Sequence, residues 1–152
     1  MKKILNILLM ICMLTVAIVG CSNGAKLLSN DNLNEDEYLN IVQPNEVIEM
    51  IEDGKSFAVV IGSDTCPACL HYKENLKELK GHEDIIINYI NLSQDIDMGE
   101  VQDLVENVLK QDVSKGLFTP TTYFVVNGQL EDLVIGAIRA DELIEYYSDY
   151  IK

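Results

Sequence analysis

Apolar and polar positions along the chain fall into distinct patterns. Residues 4–19 are apolar apart from Asn6 and Thr15. Residues 22–40 are polar, rich in Asn and acid, and show no sustained apolar period. From Ile41 onward the pattern alternates between runs and stripes. Pro44 suits a helix start, Val47, Ile48 and Ile51 share one face, and Asp53-Gly54 ends the helix. Residues 57–62 form an unbroken apolar run, as expected of a strand covered on both faces. A turn at 63–65 leads into a helix over 66–80, with Leu70, Leu76 and Leu79 inward and Lys73, Lys77 and Lys80 outward, stopped by Gly81.

The second half repeats the theme. Residues 85–92 read as another buried strand. Residues 98–110 read as a helix with Val101, Leu104, Val105, Val108 and Leu109 on one side. A loop over 111–118 precedes a strand over 121–126. Asn127-Gly128 is a strong two-residue hairpin signal, and its partner strand covers 130–135 before Gly136. A helix over 141–151, with Leu143, Ile144, Tyr147 and Ile151 near one face, closes the chain; its tyrosines, Tyr146 and Tyr150 included, read as packing residues. The order is β-α-β-α-β-α-β-β-α. Strands joined through helices pair in parallel, and the hairpin adds an antiparallel pair. The fold class is therefore α/β, a mixed central sheet of about five strands flanked by helices.

The N-terminal run changes the picture of where the domain works. Lys2 and Lys3 precede it, and its sixteen residues as helix span about 24 Å, short for a bilayer core of ~30 Å. A basic start and a short apolar run describe a secretory signal. Its end, Ile18-Val19-Gly20-Cys21, resembles the lipobox of bacterial lipoproteins. That resemblance implies cleavage before Cys21 and acylation of its side chain. Two acyl chains suffice for stable anchoring. The organisation expected is a signal peptide over 1–20, a tether over 21–40 beginning at lipidated Cys21, and a folded domain over 41–152. The rival expectation is an uncleaved membrane helix; either way the domain lies outside the cytoplasm. Nineteen flexible residues reach about 25 Å root-mean-square, enough to clear the headgroups.

Charge then removes some functions. The net charge is −14, and the first twenty residues carry only Lys2 and Lys3, so the rest has 9 basic against 25 acidic residues, a net of −16. Such a domain is a poor partner for nucleic acid or for an anionic lipid surface. Of four cysteines, Cys12 lies in the apolar run and Cys21 at its end. Cys66 and Cys69 are the remaining pair, so no disulfide framework staples the domain.

Cys66-Pro67-Ala68-Cys69 sits where an apolar strand turns into a helix. Unpaired N–H groups and the helix dipole favour a thiolate on the first cysteine. Pro67 fits the first helical position, where a missing N–H costs nothing. Cys69 lies one turn on and can close a small disulfide ring. One sulfur can therefore attack a substrate and the other resolve the mixed disulfide. His71 and His82 do not complete a zinc site at any usual ligand spacing, and copper delivery by the cysteine pair is the metal alternative.

With the strand over 57–61, the Cys66 to Cys69 motif, Thr119-Pro120 before a strand and the Asn127-Gly128 hairpin, the region 41–152 resembles the thioredoxin superfamily. Asp64 to Cys69 is similar to the motif of small secreted or lipoprotein members, including the bacteriocin transport accessory group. The resemblance implies a thioredoxin-like fold and thiol–disulfide exchange through a redox-active Cys66–Cys69 disulfide with no other cofactor and no metal. It also implies a cis Pro120 beside the two sulfurs, and Thr119 offering its backbone to a substrate strand. Leu117 and Phe118 are candidates for an apolar lip or for core packing. The implied partners are thiols or disulfides of exported proteins or peptides, and a membrane or thiol-protein redox partner that regenerates the couple. The location implied is the outer face of a bacterial cytoplasmic membrane. The alternatives are a non-enzymatic accessory of a peptide or bacteriocin exporter, and a copper-binding thioredoxin-fold chaperone. Some family features are missing. Thr65 stands where many members have tryptophan, Val60 where a buried acid accepts the proton of the second cysteine, and Ala68 where strong oxidants carry histidine. Nearby Asp64 is expected to oppose a negative sulfur. The direction of electron flow is left open by these departures.

If Ile18 to Cys21 is an acylation signal, Cys21→Ser abolishes labelling by a radioactive or clickable fatty acid in cells and leaves precursor or released protein. Unchanged labelling would remove the anchor.

Overall fold

A computed structural model describes residues 38–151 apart from residue 83; the expectations for the signal, Cys21 and most of the tether lie outside the described residues. The elements are β1 (Leu39–Ile41), α1 (Pro44–Glu52), β2 (Phe57–Gly62), α2 (Pro67–Leu76), β3 (Ile87–Asn91), α3 (Met98–Gln102), β4 (Thr121–Val126), β5 (Gln129–Ile135) and α4 (Ala140–Tyr150). A 3-10 turn over Lys77–Leu79 extends α2, and π-type turns over Asp103–Val108 extend α3. The sheet order is β1-β3-β2-β4-β5. β3 runs parallel to β1 and β2, while β4 is antiparallel to β2 and to β5. Among the described residues no helix is long and apolar enough to cross a membrane.

The central strand β2 explains the two-layer core. All six of its residues are buried. With a side-chain period of two, Ala58 and Val60 enter one cluster and Phe57, Val59 and Ile61 the other. The first cluster lies beneath α2 and α4 and contains Tyr72, Leu76, Tyr89, Phe124 and Leu143. The second lies beneath α1 and α3 and contains Val47, Ile90, Val101, Leu104 and Val125. Tyr146 stacks on Phe124 with ring centroids 4.9 Å apart, and Tyr150 tilts against Phe124 and stacks on Tyr146, so these tyrosines pack α4 onto the sheet.

Three expectations are corrected. Tyr38 and Leu39 are buried, and Leu39 pairs with Ile87, so the folded chain begins inside the segment read as tether. Leu70 points outward and is 48% exposed. Because α2 starts at Pro67, its inward stripe is Cys69, Tyr72 and Leu76, at spacings of three and four. The long helix read over 98–110 is α-helical for only five residues. It then widens, as the bond from Leu109 N–H to the Leu104 carbonyl shows. The wider turn carries Leu104, Val105 and Leu109 inward together.

The hairpin is as the dipeptide predicts, with φ of 50° at Asn127 and 72° at Gly128. Gly128 also lies against α1: a Cβ there would sit 2.3 Å from the Ile51 carbonyl oxygen, whereas at Gly54, also at positive φ, a Cβ meets nothing within 4 Å. Both sites pay the left-handed penalty of about 1–2 kcal/mol for an L residue, but Gly128→Ala adds a backbone collision. In urea denaturation Gly128→Ala should therefore lose clearly more stability than Gly54→Ala. Equal losses would mean that the hairpin gives way freely against α1.

Candidate functional site

The site is built where β2 ends. Gly62 leads into the turn Ser63-Asp64-Thr65, where Ser63 Oγ meets Thr65 Oγ1 at 2.9 Å and Ser93 Oγ at 2.8 Å. The Asp64 N–H donates to Ser93 Oγ at 2.8 Å, tying this turn to the loop after β3. Cys66 caps α2, with extended φ and ψ of −91° and 115° and Pro67 as the first helical residue. Its sulfur accepts the Cys69 N–H at 3.3 Å, which is one of the donors a helix N-terminus leaves without partners.

From the other side comes the loop before β4. Its Thr119–Pro120 bond is cis. Pro120 is buried, and its carbonyl accepts the Gly136 N–H at 2.7 Å. Thr121 Oγ1 donates to the Phe118 carbonyl at 2.7 Å. Held at both ends, the loop presents the Thr119 carbonyl to Cys66, whose S–H donates to it at 3.4 Å. The structure thus brings Cys66, Cys69 and Thr119-Pro120 together. Pro67 and Ala68 form the exposed rim between the cysteines. Phe118 projects into solvent at 54% exposure, while Leu117 packs against the second core cluster, so the two residues divide the roles of lip and packing.

The two thiols differ. Cys66 is half-buried and Cys69 fully buried, and both are free. The Cys66 thiol is held below its ordinary pKa, first by hydrogen bonding from the Cys69 thiol, then from the Thr119 side chain, and further by the N–H groups of Cys69 and Ala68. Cys69 is pushed up, first by burial and then because its proton is shared toward Cys66. A nucleophile outside and a reserve thiol inside are what disulfide exchange requires.

Asp64 does not act as expected. Its carboxylate receives Lys73 Nζ at 2.6 Å and Asn91 Nδ2 at 2.7 Å. These hydrogen bonds, the lysine's first, lower its pKa. The negative charge beside the motif is thus matched by a positive one. Lys73, expected outward, lies across the Tyr89 ring with Nζ 4.7 Å from the centroid. Tyr89 itself is fully buried, and its hydroxyl has no hydrogen-bond partner, an arrangement that costs about 1–3 kcal/mol. Ser93, Asn91, Lys73 and Tyr89 were missed at the level of sequence. The one signal was the interruption of an apolar strand by Asn88, Tyr89 and Asn91. Among the described residues no group of three or more His, Cys, Asp and Glu side chains could hold a metal ion.

The architecture matches solved structures along most of its length. The fold is thioredoxin-like. Thioredoxin from Aeropyrum pernix superimposes with a TM-score of 0.55 at 20% identity, covering 71% of this chain and 83% of that one. A thioredoxin-like protein from Clostridium perfringens gives 0.54 at 19% identity, covering 82% and 90%. A chain of the complex between ferredoxin:thioredoxin reductase and thioredoxin f2 gives 0.52 at 15% identity, covering 74% and 96%. No protein-family model matches the sequence, and no curated protein matches it either. The thioredoxin-like architecture expected from residues 41–152 is therefore present, with Cys66 and Cys69 as a close pair at the start of α2.

The pKa directions give a pH-dependent test. With Cys66 lowered and Cys69 raised, a pH below the ordinary thiol range leaves thiolate chiefly on Cys66. Iodoacetamide applied to the reduced protein at mildly acidic pH should therefore modify Cys66 first, by peptide mass mapping, and Cys69 only as the pH rises. Earlier labelling of Cys69 would reverse the assignment.

Proposed function

We propose that the protein is a thiol–disulfide oxidoreductase, anchored through lipidated Cys21 outside the cytoplasm, that exchanges disulfides with exported proteins or peptides. The observation that carries this reading is the asymmetry of the pair. Cys66 caps a helix and faces the Thr119 carbonyl at the surface, while Cys69 waits one turn inside. The thioredoxin-like fold supports it, since thioredoxins are among the proteins that share this architecture.

In the reducing direction, the Cys66 thiolate attacks one sulfur of a substrate disulfide. A Cys66–substrate disulfide forms, and the other substrate sulfur leaves as thiolate and takes up a proton. Cys69 then gives up its proton and attacks Cys66 Sγ. The Cys66–Cys69 bond forms, the second substrate thiolate departs and is protonated, and two electrons have passed from the protein to the substrate. Run backward, the same steps oxidise a dithiol. The helix N-terminus stabilises the Cys66 anion that both directions use. The substrate chain lies along Thr119 as an added strand, with Pro67, Ala68 and Pro120 bounding the groove and Phe118 giving an apolar contact beside it.

A redox partner must restore the couple, either a membrane protein or another thiol protein. The ferredoxin:thioredoxin reductase complex with thioredoxin f2 is one such pairing in a chain of related shape. The direction follows from the reduction potential of Cys66–Cys69. A value near about −270 mV marks a reductant, and one near about −120 mV an oxidant.

The roles separate in trapping experiments. Cys69→Ser should accumulate covalent complexes with exported proteins that dithiothreitol dissolves, because nothing remains to resolve the first mixed disulfide. Cys66→Ser should accumulate few or none. Complexes trapped by Cys66→Ser instead would invert the mechanism, and none with either variant would point to a protein that holds cargo without exchanging disulfides.

A further inference from the structure

Along the edge of the sheet, β5 and α4 leave an open groove of about 500 Å3, within the roughly 300–1,000 Å3 typical of ligand sites. Its floor is apolar and comes from Val134 of β5 and the buried Ile138. Its wall is aromatic. Tyr146 and Tyr150 line it, half-buried, with ring centroids 6.1 Å apart. Phe124 backs Tyr146 from the core at 4.9 Å, which fixes that wall in place. Its rim is acidic, with Glu142, Glu145 and Asp149 all exposed.

The charge on this rim is unanswered. Glu142, Glu145 and Asp149 follow one another at i, i+3 and i+7, which places them on one side of α4 over about 10 Å. Asp132 pairs with Phe124 across the hairpin, so its carboxylate stands on the same face of the sheet as that ring. No basic residue lines the groove. Among the described residues the cations held in ion pairs, Lys55, Lys73, Lys77 and Arg139, are matched to Asp53, Asp64, Glu74 and Asp141. Glu142 accepts the Arg139 backbone N–H at 3.4 Å, a helix-start contact that brings no charge. Loss of solvent first, then Asp132 and Glu131, hold the Tyr150 phenol above its ordinary pKa, so its ring enters the groove neutral.

These features select the occupant. Carboxylates and the faces of aromatic rings both attract a cation. A metal ion is a poor fit, because among the described residues no group of three or more His, Cys, Asp and Glu side chains could hold one. The charge is spread along the groove instead of focused on a point. A second copy of this chain, with its net charge of −14, brings like charge to like. The apolar floor suits an aliphatic stem, and lysine and arginine bury their stems on apolar surface while the charged head stays in polar surroundings. A rim of about 10 Å matches about three residues of extended chain. We propose that this groove is a docking surface for a basic segment of a partner protein, whose lysine or arginine side chains lay their stems on Val134 and Ile138 and set their heads among Tyr146, Tyr150 and the carboxylates of Glu142, Glu145 and Asp149. The inference goes beyond the exchange reaction and needs neither cysteine. The groove begins at Ile138, two residues after Gly136, whose N–H is bonded to the Pro120 carbonyl. A segment docked there lies beside the loop that carries the cis proline, and the cysteines are not among the residues that line it.

The test is a titration of the full chain, in neutral detergent, with tetralysine and with tetraglutamate as the control. Binding is followed by calorimetry and by the ring resonances of isotopically labelled tyrosine. Tetralysine should shift Tyr146 and Tyr150 and leave the buried Tyr72 and Tyr89 in place, and tetraglutamate should shift none. Glu145→Gln with Asp149→Asn should weaken tetralysine binding about fivefold and flatten its salt dependence. The same charge change on the opposite layer, Glu49→Gln with Glu52→Gln on exposed positions of α1, should leave binding nearly as it was. Tyr150→Leu should weaken it about threefold with every carboxylate still present. Equal weakening by the two acid pairs would reduce the effect to net charge and overturn the proposal. Unshifted Tyr146 and Tyr150 resonances in the unaltered protein would overturn it whatever the variants do, including a Tyr150→Leu protein that fails to fold. Calcium ion alone shifting the same rings as tightly as tetralysine would assign the groove to a metal, and a dimer in sedimentation that buries both rings would assign it to a second copy; either result overturns the proposal. None of these measurements involves disulfide exchange, so the docking surface and the thiol reaction stand or fall separately.

Discussion

The Cys66 sulfur at the first turn of α2 accepts the Cys69 N–H and lies against the Thr119 loop, and the architecture around it follows from that contact. A sulfur anion beside an apolar sheet is stable only where donors have no other use. A helix start supplies such donors. To aim one at the sulfur, the helix must begin at the end of a buried strand, which β2 and Pro67 accomplish. To leave the sulfur reachable, the facing element must be a loop and not a strand, which the segment before β4 supplies. Antiparallel pairing of β2 with β4 then brings the start of one strand beside the end of the other. The order of the sheet is thus the means by which two turns distant in sequence meet at one sulfur.

The same constraint explains the surroundings of the motif. An ionised Asp64 two residues before Cys66 would weaken any thiolate if left alone. The fold answers it with Lys73, one helical turn beyond Cys69, and with Asn91 from the end of β3. That ion pair is partly exposed, so its contribution to stability is small. Its effect is on the local field, where it matches a negative charge that would otherwise face the sulfurs. Ser93 adds a second tie between the same two loops. The turn that carries the motif is therefore held from β3 as well as from β2.

Much of this was legible in the sequence, for physical reasons. Continuous apolar runs such as 57–62 can only be strands covered on both sides, and Asn-Gly at 127–128 accepts the positive φ values that a tight hairpin imposes. Cys66-Pro67-Ala68-Cys69 is local, and its helix start was readable from Pro67 alone. What was not legible depends on a third dimension. Leu70 does not mark the inward face of α2, because the helix phase is set by which residue meets the sheet, and a single leucine cannot report that. Lys73 read as solvent-facing because nothing in a helical pattern says that a ring from β3 lies under it. The widened turns after Gln102 carry no sequence mark that distinguishes them from a regular helix.

Tyr89 and Gly62 show how far such pairings can hide. Neither residue is unusual alone: a tyrosine in a strand and a glycine at a strand end are both ordinary. Their meaning arises from register. Pairing Val60 with Tyr89 and Gly62 with Asn91 places the phenol one step behind the motif, where a glycine is needed to admit it. At the same step Val60 contributes only apolar surface, so the polar group at this level of the sheet stands on β3. A buried hydroxyl can therefore enter the layer beneath α2 from β3 where β2 offers only apolar side chains. The geometry that permits this is the parallel β2–β3 register together with the missing side chain at Gly62.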